Sequence, residues 1–411
     1  MPFRSMSPPR AVDTAIAEVA RLDLTARVRS LGPRHASTTQ VELARRGRHM
    51  SVGWGKGTGD QAVASAWFEA LERYLMSAAD NRRRQPDGPI LLPAREVAAQ
   101  PELAADLVVR RWAAEFPSAV GACATLTGGV RYPVFLIDPR YFRSPVAGDD
   151  VRPYRGLLRY SSSLGTAAGA TVAEATYHGL CELIEHDGVS HALLSWYVAG
   201  RPDAAEVPPS ALPDGLAERH AAAEWAAGGP VRLLDVTTDL DVPVYLAVAA
   251  GVPRVGAGSS AWASDAAERA LDELIQSCAQ SPQRVAGAAA KLDGWPALAR
   301  CVRLPLDQLQ IRPVALRTDP GTDSVADGLA QVSGALAARG LAHHVGEIAP
   351  AGSLIAVTTT VAPGLERFST VRHGNPVLPT GRGWHLWPSP EATARRKSRP
   401  EQKRGTTCQT S

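Results

Sequence analysis

The chain carries five cysteines in 411 residues, Cys123, Cys181, Cys278, Cys301 and Cys408, and no two of them form a CxxC pair. Odd number and wide scatter exclude a zinc ribbon or a dithiol redox motif and leave reduced thiols as the simplest account. No apolar run approaches the roughly 20 residues that cross a bilayer, and the opening MPFRSMSPPR lacks the apolar stretch of a signal peptide. The expectation is a cytoplasmic protein with no membrane partner. The P-loop pattern GxxxxGK[ST] is absent, as is a GxGxxG turn opening a helix after a strand, which excludes the two commonest phosphate-binding loops. Charge of one sign is also lacking, since 44 basic and 41 acidic residues leave a formal net of +3. The surplus sits in Arg395, Arg396, Lys397, Arg399, Lys403 and Arg404. Such a run reads as a solvated, disordered tail over 396–411, and no nucleic acid is expected as a partner.

What is present is an ordinary soluble composition in a chain longer than the roughly 250 to 300 residues at which one core stops growing. Two subdomains or one elaborated domain follow from that length. Periodicity and turn residues predict a helix over about 13–31, within an N-terminal helical segment spanning 1–40, and then a polar stretch ending at RRGRH. VGWGKGTGD reads as a strand end and turn before a long helix over 61 to about 79. RYPVFLID (131–138) reads as a strand. In RGLLRYSSSLGTAAGATVAEATYHGLCELIEHD a strand breaks at a small-residue loop and yields to a helix of about four turns, with Thr166 or Thr171 as its cap. VRLLDVTTDLDVPVYLAVAAG has the two runs and the turn of a strand pair. GAGSSAWASDAAERALDELIQS repeats the theme of a small-residue loop feeding an acidic helix. RPVALRTD and SLIAVTTTV read as strands around the helix VADGLAQVSGALAARG. The fold class is α/β (α+β), without a convincing internal sequence repeat.

Glu69 and Glu72 sit at i and i+3, on one helix face. Glu174, Glu182 and Glu185 fall within about 80° of one another on an ideal helix, with no lysine or arginine nearby in that helix to offset them. Each helix alone would pass for a solvated face. Both, however, follow small-residue loops and load acids onto half-apolar surfaces. Five carboxylates brought together repel one another unless a cation intervenes, and a hard divalent ion such as Mg2+ takes oxygen ligands and pairs with phosphates. Lys56, a point charge on a Gly-flanked turn, and Arg73, through its fork, are then candidates for phosphate oxygens.

These residues resemble the YcaO family. SAWFEALER supplies the Ser, Glu and Glu-Arg pair of its first motif as Ser65, Glu69, Glu72 and Arg73. SLGTAAGATVAEATYHGLCELIEHD is similar to its AAG loop and acidic helix, with Glu174, Glu182 and Glu185 at the family's spacing. GAGSSAWASDAAERALDELIQ matches the third element, a GxG loop and a helix ending ALxExxQ, through Glu273 and Gln276. The three motifs stand in the family's order across 53–278, and the likeness implies one YcaO domain over 41–395.

The resemblance implies a YcaO-type fold of mixed sheets flanked by helices, with an ATP site between the acidic helices. ATP and Mg2+ would be the cofactors, with Glu69, Glu72, Glu174, Glu182 and Glu185 on the metal and Lys56, Ser65, Arg73, Glu273 and Gln276 on the nucleotide. It implies ATP-dependent activation of a backbone amide in a ribosomally made precursor peptide. Attack by the following Cys, Ser or Thr gives an azoline, attack by sulfide a thioamide, and attack by an N-terminal amine an amidine ring. Cyclodehydration is the expected reaction. A non-catalytic scaffold that assists modification of a ribosomal protein is the reading from another class. The first 50 residues are too short for a leader-binding module, so the expected partners are the precursor peptide and an E1-like or TfuA-like protein, with homodimerisation as a further assembly.

Three departures stand out. His186 occupies the position of the family's Arg in ELIERD, so a positive contact to phosphate is missing or becomes pH-dependent. Ser260 and Trp262 stand where azoline formers show the His and Asp of GxGxHxDP, and the Pro-rich end is only LWPSP (386–390). Other candidates have structural readings. His343 and His344 are adjacent and point apart, HDGVSH lacks zincin spacing, Cys181 reads as a small buried hydrophobe, and Trp384, His385 and Trp387 read as packing residues.

Overall fold

The computed structural model describes residues 4–77, 88–150, 155–250, 254–279, 283–319, 321 and 324–388. Helix α1 (Pro8–Arg21) leads into an antiparallel meander of β1 (Thr25–Leu31), β2 (Thr38–Arg45) and β3 (Arg48–Gly55), and β3 turns into α2 (Gly59–Ser77). Strand β4 (Ile90–Pro93), helix α3 (Leu107–Glu115) and strands β5 (Val120–Thr125) and β6 (Arg131–Pro133) follow, the three strands forming a second small sheet. Strand β7 (Thr166–Gly169) precedes the long α4 (Val172–Leu193), and β8 (Asp203–Val207) precedes α5 (Asp214–Ala227). Next come β9 (Val231–Asp235), β10 (Val244–Ala249) and β11 (Val255–Ser259), then α6 (Ala263–Cys278), α7 (Gln283–Ala290) and α8 (Pro296–Arg303). Strand β12 (Gln310–Pro313), helix α9 (Val325–Ala337) and strands β13 (His344–Glu347) and β14 (Ala356–Val361) complete the regular elements. The largest sheet has the order β11-β10-β9-β8-β12 and is antiparallel except for the β8–β12 pair. A fourth sheet has the order β13-β14-β7.

Two strand–helix units share one build, and glycine explains it. In β3, a Cβ at Gly55 would collide with the Ala62 carbonyl of α2, and one at Gly53 with Ala66 and Ala70. In β11, a Cβ at Gly258 would collide with the Ala266 carbonyl of α6, and one at Gly256 with Ala270 and Leu274. Strand and helix therefore meet backbone to backbone, which only glycine in the strand permits. Each unit carries an outer helix, α1 against α2 and α5 against α6. The likeness lies in packing more than in sequence.

Helix α4 is the hub. Thr171 caps it by accepting from the Glu174 N–H at 3.1 Å, and nearly every residue from Glu174 to Leu193 is buried. It packs on β7, β14, β10, β11 and α9. A helix buried on all sides lacks an amphipathic stripe, and its acids are held inside the molecule.

Four local expectations are corrected. The first helix ends at Arg21, because Asp23 takes a left-handed conformation (φ 55°), and residues 25–31 pair with β2 as a strand. The segment 1–40 therefore holds α1, β1 and the start of β2. RYPVFLID is a strand only to Pro133, and 134–137 form a helical turn that this proline starts. The strand of the second motif lies within the small-residue loop, at 166–169, while 155–160 are a 3-10 segment; the helix after it has 22 residues, about six turns. The last residues of LWPSP, the tail 396–411 and Cys408 lie outside the described residues.

Candidate active site

In the loop SSSLGTAAGAT, acidic side chains from outside the loop accept three of its N–H groups. Glu182 accepts from the Gly165 N–H at 3.0 Å, Glu72 from Ala168 at 3.0 Å, and Glu174 from Ala170 at 3.0 Å. One extended segment thereby fixes carboxylates from two helices, α2 and α4. Gly165 is required there: its φ is 80° and a Cβ would strike the Thr360 carbonyl.

The third helix joins through β3. The Trp54 N–H donates to Glu69 at 2.7 Å, and the Gln276 side chain donates to the Trp54 carbonyl. Lys56 forms an ion pair with Glu273, its N–H reaches Ser65 Oγ at 3.3 Å, and Arg73 pairs with Glu69. All ten residues singled out from the sequence (Lys56, Ser65, Glu69, Glu72, Arg73, Glu174, Glu182, Glu185, Glu273 and Gln276) line a single cavity of about 600 Å³.

The cavity also contains residues that the motifs did not flag. Arg269 precedes Glu273 by one turn of α6 and faces inward. It stands within AERALDELIQ, so the helical spacing itself could have pointed to it. Arg4 comes from the chain's start; its guanidinium meets His178 and lies 3.6 Å from Glu174. Arg372 enters from the turn Phe368–His373. No local pattern signals the last two, since only folding brings them in.

Burial sets the electrostatics. It raises Glu185 to about 8, with repulsion from Glu273 adding to it, and Glu182 to about 7. Glu72 is pushed well above the usual carboxylate range by burial and by Glu182 and Glu69. Burial also works against ionisation of Glu174, but the His178 hydrogen bond and the charge of Arg4 outweigh it and hold this carboxyl low. Partial burial works against the charge of Lys56, but Glu273 and Glu185 outweigh it and raise its proton affinity.

His186 fits the first of its two alternatives, a missing charge. Burial, with His373 and Lys56 nearby, lowers it to about 3, and its Nδ1 bonds to Ser369 Oγ at 2.7 Å. It is neutral at physiological pH, so the positive charge at this position is missing and does not come and go near pH 6.5. Ser260 bonds to the Tyr177 hydroxyl at 2.9 Å, and Trp262 is fully buried; both serve the core. Cys181 is buried, and its thiol is pushed up to about 12. His191 of HDGVSH lies beside Asp187, and Trp387 packs on Phe368.

The chain matches the model of the YcaO family, described as YcaO cyclodehydratase, ATP- and Mg2+-binding, over residues 54–366. Among solved structures it is similar to YcaO from Methanopyrus kandleri bound with AMPPCP and Mg2+, at 20% identity and a TM-score of 0.62, covering 92% of this chain and 96% of that one. It is also similar to a heterocyclase in complex with substrate and cofactor, at 17% identity and a TM-score of 0.61, covering 89% of this chain and 54% of that one. At these identities the likeness concerns the fold. A curated relative, an uncharacterized protein in the tfuA 3' region of Rhizobium leguminosarum bv. trifolii, is 38% identical over 87 residues. That match spans 21% of this chain and about a fifth (20%) of the relative's length.

The donors suit the ATP and Mg2+ of that family. Glu185 is buried and Glu72 and Glu182 are half-buried; all three present carboxylate oxygens, the ligand type Mg2+ takes, and a cation beside them would offset their mutual repulsion. As the side chains stand, no group of three or more His, Cys, Asp or Glu among the described residues closes on a common point that could hold a metal ion. Among the described residues no helix is long and apolar enough to cross a membrane.

Proposed function

The chain belongs to the YcaO family, and on that footing we propose that it activates backbone amides of a ribosomally made precursor peptide at the expense of ATP. The observation that carries this reading is the convergence of all ten motif residues on one cavity, with carboxylates of two helices anchored on the N–H groups of 165–170. In this reading Glu72, Glu182 and Glu185 hold Mg2+, while Lys56, Arg269 and Arg73 face phosphate oxygens. ATP supplies the phosphoryl group that converts a poor leaving group, the amide oxygen, into a good one. The residues of this chain bind and orient. Lys56 is held by Glu273 and Glu69 is fixed by Trp54, so the charges of the cavity are oriented before the nucleotide arrives. The intact acid set argues against a non-catalytic scaffold.

Cyclodehydration of Cys, Ser or Thr is the reaction that the family's description supports. A second reading, attack by sulfide to give a thioamide with a TfuA-like partner, is favoured by the relative from a tfuA 3' region and by the structural roles of Ser260 and Trp262. The test incubates the chain and its partner with Mg2+, ATP and the precursor peptide encoded nearby, then measures peptide mass and released phosphate. Loss of about 18 Da supports cyclodehydration, and a sulfide-dependent gain of about 16 Da supports thioamidation, each in step with phosphate because each turns over one activated oxygen. An unmodified peptide with no phosphate released would overturn amide activation itself.

A further inference from the structure

We propose that Arg372 is a phosphate-binding residue of this cavity, presented by the turn Phe368–His373 in place of the positive charge that position 186 lacks. The inference rests on the nucleotide reading above and assigns it a residue that lies beyond the matched stretch 54–366.

Arg372 lines the cavity together with Ser369, Thr370 and His373. Its Nη1 is buried without a hydrogen-bond partner, and among the described residues no carboxylate pairs with it. Arg372 is half-buried overall, and a guanidinium nitrogen shielded from water with no partner is costly unless an anion completes its shell. Burial lowers its proton affinity to about 10, with Glu273 acting the other way, so it still carries its charge at neutral pH. The anion that this cavity is built to accept carries phosphate oxygens, which a planar fork can grip.

The turn is rigidly placed. The Glu366 carboxylate accepts N–H bonds from Arg367, Phe368, Thr380, Gly381 and Gly383, and the Glu366 N–H donates to Asp187 of α4 at 2.9 Å. The Ser369 N–H donates to Ser190 at 2.7 Å, and Ser369 Oγ bonds to His186. The neutral residue at 186 is thus tied to the same turn that delivers the charge.

The test measures Mg·ATP and adenosine binding by calorimetry in wild type, in Arg372→Gln and in His186→Arg/Arg372→Gln. Arg372→Gln should weaken Mg·ATP by about tenfold or more and leave adenosine unchanged, and the second substitution should restore most of the loss. Mg·ATP binding within about twofold of wild type, or an equal loss for ATP and adenosine, would overturn the role. A wild-type chain that fails to bind Mg·ATP would instead overturn the nucleotide reading itself. If Arg372→Gln does not fold, the wild type decides: saturating Mg·ATP should slow phenylglyoxal modification of the peptide bearing Arg372, and an unchanged rate would refute the proposal.

Discussion

Glu69 and Gln276 grip the backbone of one residue from two different helices: the Glu69 carboxylate takes the Trp54 N–H at 2.7 Å, and the Gln276 amide donates to the Trp54 carbonyl. Strand β3 is thereby clamped between α2 and α6, and Lys56, two residues on, is carried to Glu273.

The clamp and the acids separate structure from binding. Glu185→Gln keeps size and removes a charge from a crowded set, so the ligand-free protein should melt no lower than wild type. Affinity for Mg·ATP should fall by at least about tenfold, about 1.4 kcal/mol, as should that of Glu72→Gln. Calorimetry beside thermal melts checks both halves, and undiminished affinity in the two variants would remove these acids from the site.

Raised carboxyls make metal binding release protons. Glu185 at about 8 and Glu182 at about 7 stand above their ordinary 4.5, so the native state binds more protons than the unfolded chain between those values. Without metal, the stability these two carboxyls contribute should therefore be full below about pH 4.5 and be lost as pH rises through 7 to 8, a loss that Glu185→Gln/Glu182→Gln should remove. Mg2+ affinity should run the opposite way, rising to about pH 8 and levelling there, with proton release seen in weakly buffered titrations. A pH-independent affinity would refute this.

Glu366 is 1% exposed and accepts five backbone N–H groups with its two oxygens. Glu366→Gln turns one acceptor into a donor facing donors, at a cost of about 2–4 kcal/mol. Hydrogen exchange across 366–383 should rise in this variant, while that of β9 and β10 stays unchanged.

Two glycine substitutions should act in opposite directions. Gly55→Ala drives a methyl group into the Ala62 carbonyl and should cost about 3 kcal/mol or more. Gly334→Ala, in α9 with open space around it, should stabilise by about 0.5–1 kcal/mol. Urea midpoints of the two variants measure the contrast.

The motifs were legible because their chemistry is local. A GxG strand, alanines at helical spacing and acids on one face all lie within about 25 residues of one another, so periodicity exposes them. Residues 25–31 were misread because TARVRSL has no helix-breaking residue, and its strand state comes from pairing with β2. Pro133 ended a strand that the apolar run alone would have continued. Arg4 and Arg372 were invisible for a different reason: each lies far along the chain from the acids it faces, and neither sits in a pattern.

That spread has a consequence for synthesis. The cavity wall runs from Arg4 to His373, so a ribosome-bound fragment that ends within α6 already holds all ten motif residues yet lacks the closing turn. Full nucleotide affinity should emerge only after residue 373 has left the exit tunnel. Once bound, the nucleotide acts as a clasp between early and late segments, adding about 2.7 kcal/mol at a hundredfold excess over Kd. Proteolysis near Arg4 or within 366–373 should then be slower with Mg·ATP present than without it.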